Sequence, residues 1–212
     1  MMEDKKNLYI ILGCNGSGKT IYFNFFLKKR IKKNNYLNIE TILCPSTKLL
    51  RIEEAIKKEE SLVLESIFAG ETICEMLSII DKAKRNNFKI NVFFVHTNNC
   101  DINITNVQKN FSIGLLDFID VHTLKQKHIE ISGNVKEYSS LFDSLVIIDN
   151  SEYEFVEVAK VIGNRKIEFD INYLIRNPQK LMNKKTFLKK YSLEDDDRRY
   201  IDYVELSYFN NN

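Results

Sequence analysis

The chain has 212 residues, 44% of them hydrophobic, with 14 Phe and 10 Tyr. Length and apolar content fit a single domain with a substantial core. The net charge of +2, from 31 Lys and Arg against 29 Asp and Glu, leaves no electrostatic footprint for a nucleic-acid or membrane partner.

In chain order, Met1 to Asn7 is too polar for a signal peptide, and no apolar run has the length of a membrane span, so a cytoplasmic protein is expected. Leu8-Tyr9-Ile10-Ile11-Leu12 is a continuous apolar run, the pattern of a buried parallel strand. Gly13-Cys14-Asn15-Gly16-Ser17-Gly18-Lys19-Thr20 follows and fills every fixed position of the phosphate-binding pattern G-x-x-x-x-G-K-[ST]. Its glycines permit a tight turn that aims backbone N–H groups at a phosphate chain. Lys19 would neutralise β and γ phosphates, and the Thr20 hydroxyl would bind Mg²⁺. Phe23, Phe26, Leu27, Arg30 and Ile31 then recur at helical spacing. Strand, loop and helix together point a helix N-terminus at an anion. ATP and Mg²⁺ are the expected cofactors, with Gly13, Asn15, Gly16, Ser17, Gly18, Lys19 and Thr20 binding the nucleotide and Thr20 the metal.

Leu37 to Leu43 reads as a second strand, ended by Cys44-Pro45-Ser46, and Ser46 or Thr47 would cap a helix over Leu49 to Lys58. Leu62-Val63-Leu64 is a short strand with Glu65 and Ser66 at its C-terminal end, the end that faces the ligand crevice of an open α/β sheet. Glu71 to Asn86 is a helix with Ile73, Met76, Leu77, Ile80 and Ala83 on one stripe. Ile90 to Val95 is a strand. Ile102 to Phe111 and Asp117 to Glu130 read as helices, and Leu145 to Asp149 as a strand. Phe155 to Ile162 and Ile167 to Phe169 flank Gly163-Asn164-Arg165 and read as a hairpin or as a helix and an edge strand, with the hairpin favoured. Tyr173 to Met182 and Lys185 to Tyr191 look helical, ahead of a solvated tail. The alternation predicts a P-loop NTPase or kinase fold: a three-layer α/β sandwich with a mostly parallel sheet and helices on both faces. One domain spans 1–212, with about 171–212 a helical C-terminal extension.

Glu65 is the carboxylate expected on the acceptor side, able to bind a substrate hydroxyl, take its proton, or bind Mg²⁺ through water. A surface Glu opening a helix is the plainer alternative. With Lys19 it makes the catalytic pair. Asp149 also ends a strand and reads as an adenine-side or a structural residue, with the structural role favoured. His96 ends the Ile90 to Val95 strand, with Thr97 and Asn98 after it; plain loop residues are the favoured reading, and lining the crevice is the alternative. Cys14, Cys44, Cys74 and Cys100 are spaced for neither zinc nor a redox pair, and read as reduced, mostly buried thiols. Within an anion-binding loop the Cys14 thiol pKa is expected to fall.

These motifs together resemble the zeta-toxin-like P-loop kinases, which act on UDP-N-acetylglucosamine. The resemblance runs from about Leu8 to about Ile162 on four features. They are Asn15 to Thr20 for N-G-S-G-K-[ST], Glu65-Ser66 ahead of a long helix, the Ile90 to Val95 strand, and Asp149-Asn150-Ser151 for D-N-S. It implies an ATP-dependent kinase that transfers the γ-phosphate to a hydroxyl of a small-molecule acceptor such as a nucleotide sugar, restrained by an antitoxin protein. Two stretches differ from the family. Where its N-P-D supplies an Asp base, this chain reads Cys44-Pro45-Ser46, and Ser is a very poor base. Where it has a glycine pair followed by phosphate-contacting arginines, Ile113 to Glu130 has no Arg; Lys109, Lys125 and Lys127 are the nearby cations, and lysine forms no bidentate fork. Two alternatives therefore stand beside the kinase: a catalytically degenerate nucleotide-binding interaction module, and a kinase of nucleosides or RNA ends. Near-neutral charge argues against a long nucleic-acid substrate.

Overall fold

A computed structural model of the chain describes residues 6–28, 36–38, 45–114, 118–152, 155–162 and 166–169. Strand β1 (Asn7–Leu12) leads through the loop into helix α1 (Lys19–Tyr22). The helix continues as a wider π-helical turn over Phe23–Leu27, with Lys28 N donating to Phe23 O at 2.8 Å. Then follow β2 (Tyr36–Asn38), α2 (Pro45–Lys57), β3 (Leu62–Ser66), α3 (Thr72–Arg85), β4 (Lys89–His96), α4 (Cys100–Ser112), α5 (Val121–Glu137), β5 (Ser144–Asp149), β6 (Val156–Ile162) and β7 (Lys166–Phe169).

Among the described residues the strands form one sheet in the order β2-β3-β1-β4-β5-β6-β7. The first five run parallel, and β6 and β7 add an antiparallel edge. The three-layer sandwich expected from the sequence is the fold found. β1 is the middle one of the five parallel strands, and its residues pack on both faces: Ile10 and Leu12 join one core cluster, Ile11 the other. The first cluster takes Ile52 and Ile56 of α2, Met76 and Ile80 of α3, Val107 of α4, and Leu124, Ile131 and Val135 of α5. The second sits under Tyr22, Phe23 and Leu27 of α1 and its π turn. Each such side chain, taken fully from water, contributes about 1.5–3 kcal/mol. The carboxyl ends of β1, β3 and β4 thereby lie side by side.

Several boundaries move. α2 starts at Pro45, so Ser46 and Thr47 stand inside the helix rather than before it as caps; Pro suits a first helical position because its missing N–H would have no intrahelical partner there. The helix expected over Asp117 to Glu130 runs from Val121 to Glu137, capped by Asp120, whose carboxylate accepts from Thr123 N at 2.9 Å. Ser132-Gly133-Asn134 looks like a stop in the sequence, but burial of Ile131 and Val135 carries the helix through it. The hairpin of β6 and β7 is as expected. Of the second strand, Tyr36–Asn38 is described. Ile39 to Cys44, Tyr173 to Met182, Lys185 to Tyr191 and the whole 171–212 extension lie outside the described residues. No described helix is long and apolar enough to cross a membrane.

Candidate nucleotide site

The loop between β1 and α1 is held from outside by its own carbonyls. Gly13 O accepts from Lys19 Nζ at 2.8 Å, and Cys14 O accepts from Lys19 Nζ and from Ser17 N, each at 3.1 Å. Gly16 O accepts from Asn106 Nδ2 of α4 at 2.9 Å. Ser17 O accepts from Asn150 Nδ2 at 2.8 Å, and Gly18 O from Tyr22 N at 2.9 Å. Five of the loop's carbonyls are thereby engaged, which fixes the conformation of its backbone. Gly16 (φ +78°) and Gly18 (φ +94°) adopt left-handed backbone. A Cβ on Gly16 would lie 2.4 Å from Asn103 O, and one on Gly18 would lie 2.7 Å from Asn150 Nδ2. Only glycine fits at either position.

Lys19 is 6% exposed, its ammonium folded across the loop onto the two carbonyls. Glu65, at the end of β3, is 3% exposed. β1 and β3 are neighbours in parallel register, with Leu12 opposite Ser66, and this brings Glu65 against the start of α1. Thr20 Oγ1 donates to Glu65, lying 2.9 Å from Oε1 and 3.0 Å from Oε2. The two residues expected to carry metal and acceptor chemistry, distant in sequence, therefore touch. Tyr36 Oη and Asn38 Nδ2 (3.2 Å) also donate to the same carboxylate.

Residues singled out around β4 and β5 pack behind the loop. His96 is 8% exposed, its ring stacked on that of His128 at 5.4 Å between centroids. Thr97 Oγ1 donates to Asn103 Oδ1 at 3.0 Å, and Asn103 Nδ2 lies 3.1 Å from His128 Nδ1. Burial lowers the His128 pKa below its ordinary value of 6.5, which keeps the ring neutral and its Nδ1 able to accept from the Asn103 amide. Asn98 N donates to Ser151 Oγ at 2.7 Å, and Asn150 N to His96 O at 2.8 Å. Asp149 accepts from Ser151 N at 2.9 Å, a local turn, in keeping with a structural part.

One expectation reverses. Burial pushes the Cys14 thiol up to about 11, outweighing the nearby Lys19 charge. Its Sγ points away from the anion cradle toward Leu124 O, 3.7 Å off. Nor are the thiols mostly buried: Cys14 is, Cys100 is partly so, and Cys74 is exposed. Cys44 lies outside the described residues.

Tyr36, Asn38, Asn103, Asn106 and Asn150 were not readable as site residues from their positions alone. Asn-rich runs such as Asn98-Asn99 look like loop, and no local pattern says which Asn reaches back to another segment's carbonyl.

The sequence matches no protein-family profile and no curated protein. Solved structures do share its fold. A chain of the AvrRxo1-ORF1:AvrRxo1-ORF2 complex, crystallised with sulphate ions, superposes with a TM-score of 0.56 at 16% identity, over 95% of this chain and 76% of that one. The same complex crystallised with ATP gives 0.56 at 15% identity, over 95% and 76%. A chain from the PezAT chromosomal toxin-antitoxin system of Streptococcus pneumoniae gives 0.46 at 13% identity, over 73% and 74%.

Proposed function

We propose that the chain binds ATP with Mg²⁺ at the Gly13 to Thr20 loop and transfers the γ-phosphoryl group to a hydroxyl of a small-molecule acceptor. The contact of Thr20 with Glu65 at 2.9 and 3.0 Å carries the reading, because it joins a phosphate cradle to a buried carboxylate at the crevice. A fold shared with a complex crystallised with ATP supports it.

The donor set fits the metal. Thr20 and Glu65 offer hard oxygens, the ligands Mg²⁺ prefers. Among the described residues no group of three or more His, Cys, Asp and Glu is placed to hold a metal ion. Bound Mg²⁺ would supply charge neutralisation on the phosphate oxygens.

The chain's own residues do the rest. Backbone N–H groups of the loop hold the β-phosphate, and Asn106 and Asn150 keep that backbone from relaxing. Lys19 exchanges its two carbonyl contacts for phosphate oxygens, a short swing that brings a full positive charge to the transferring group. Of the roles open to Glu65, contact with Thr20 favours the metal side, directly or through water. Phosphoryl transfer depends mostly on positioning and charge stabilisation, so a kinase lacking the Asp at position 46 retains most of what the reaction needs.

A nucleotide sugar is the acceptor class that the zeta-toxin resemblance implies, and an antitoxin-like protein is the implied partner. That the AvrRxo1 chain was crystallised with a second protein supports the latter. Incubation with labelled ATP and a panel of nucleotide sugars, nucleosides and RNA ends tests the reading. Labelled product from wild type and none from Lys19→Ala supports it. A second reading, a nucleotide-binding interaction module without turnover, is favoured by Ser46 and by the lack of arginine over 113–130. Tight ATP binding with no product from any acceptor would establish that one instead.

A further inference from the structure

We propose that Tyr36 and Asn38 of strand β2 are positioning residues that lock Glu65 into a cation seat with Thr20. The inference rests on the nucleotide-site reading above and assigns work to a strand that no motif marks.

Glu65 has two carboxylate oxygens, and each accepts one hydrogen bond from β2. Asn38 Nδ2 donates to Oε1 at 3.2 Å, and Tyr36 Oη donates to Oε2. Thr20 Oγ1 lies 2.9 Å from Oε1 and 3.0 Å from Oε2, midway between them. Three donors shared between the two oxygens fix the rotation of the carboxylate plane. The contact with Thr20 keeps that carboxylate beside the loop, where a cation shared with the phosphates would sit.

The parallel pairing of β2 with β3 sets this geometry. Leu37 lies opposite Leu64 and Asn38 opposite Glu65, so Tyr36 and Asn38, two apart, point to the same face as Glu65. Tyr36 is itself held, its ring stacked on Phe23 of the π-helical turn at 4.1 Å and 12°. The widened turn after α1 thus supports the phenol that aims the carboxylate. The three donors are a hydroxyl, a phenol and an amide, all uncharged. Groups that orient metal-binding side chains in this way, when removed, typically cost about ten- to a hundredfold in metal affinity.

The test separates cation binding from nucleotide binding. Affinity for a non-hydrolysable ATP analogue is measured in EDTA by calorimetry. MnCl₂ is then titrated into the protein saturated with that analogue, and free Mn²⁺ is followed by electron paramagnetic resonance. Tyr36→Phe keeps the ring stack and loses the donor; Asn38→Ala is the independent second variant should either fail to fold; Glu65→Gln is the reference. Mn²⁺ affinity about tenfold weaker in Tyr36→Phe and in Asn38→Ala, with analogue affinity in EDTA within twofold of wild type, supports the inference. Mn²⁺ affinity within twofold of wild type in both, while Glu65→Gln loses it, overturns the inference and leaves the nucleotide site standing. An equal loss of analogue affinity with and without Mn²⁺ also overturns it, since that marks general distortion. A wild-type protein that binds no analogue overturns the nucleotide-site reading and this inference with it.

Discussion

Replacing Gly16 by alanine tests whether α4 is pressed against the phosphate loop. At φ +78° an alanine pays roughly 1–2 kcal/mol for left-handed backbone. The added Cβ would also sit 2.4 Å from the Asn103 carbonyl and 3.1 Å from Val107 Cγ2. The first contact is backbone within a helix, which cannot rotate aside, so α4 or the loop must shift, at a further 1–3 kcal/mol or so. Gly16→Ala should therefore lose about 2–5 kcal/mol of stability. Gly70→Ala is the control: its φ is also left-handed, at +58°, yet its Cβ would meet nothing within 4 Å. That change should cost only the conformational part, about 1–2 kcal/mol. Urea unfolding followed by circular dichroism gives both values, and calorimetric titration with ATP should show weakened binding for Gly16→Ala alone. Equal losses in the two variants, with ATP binding retained in both, would refute the close approach of α4.

Three further outcomes follow from contacts around the loop. Asn150→Ala removes the donor to Ser17 O, leaving a partly buried carbonyl short of a partner, and should cost about 1–3 kcal/mol in urea unfolding; an unchanged midpoint at unchanged slope would contradict the role. His128 titrates below its ordinary 6.5 when folded, so below that pH the unfolded chain holds a proton the native one refuses. The stabilising effect of the neutral ring is complete above about pH 6.5 and declines as pH falls through it, so melting temperature should drop on acidification more steeply in wild type than in His128→Gln; identical profiles would count against it. Cys14, with its thiol at about 11, should resist iodoacetamide at pH 8 while exposed Cys74 reacts; mass spectrometry reads the sites, and faster labelling at Cys14 would reverse the assignment.

The parts of the fold that the sequence displays are those where one physical demand dominates. Leu8 to Leu12 and Val92 to Val95 are continuous apolar runs because both faces of a central strand are covered, and they were readable for that reason. Gly13 to Thr20 is readable because a tight turn with left-handed backbone at Gly16 and Gly18 tolerates so few residue types. Glu65 is readable through its place at a strand end. What lies hidden depends on long-range pairing. Asn150 and Ser17 are 133 residues apart, and Asn106 and Gly16 are 90 apart, so nothing nearby in the chain announces either bond. Tyr36 and Asn38 acquire meaning only when β2 pairs with β3. The Cys14 thiol misleads because burial outweighs the nearby Lys19 charge, and its Sγ reaches toward Leu124 O.

Calorimetric titration of the wild-type chain with ATP in the presence of Mg²⁺, beside Lys19→Ala, tests the central claim most directly. A saturable heat is predicted for wild type, with affinity lowered about ten- to a hundredfold in the variant, the 1.5–3 kcal/mol expected when a charged hydrogen-bond donor is removed from a phosphate. No heat from wild type with ATP, ADP, GTP or GDP, or equal affinity in both proteins, would contradict it.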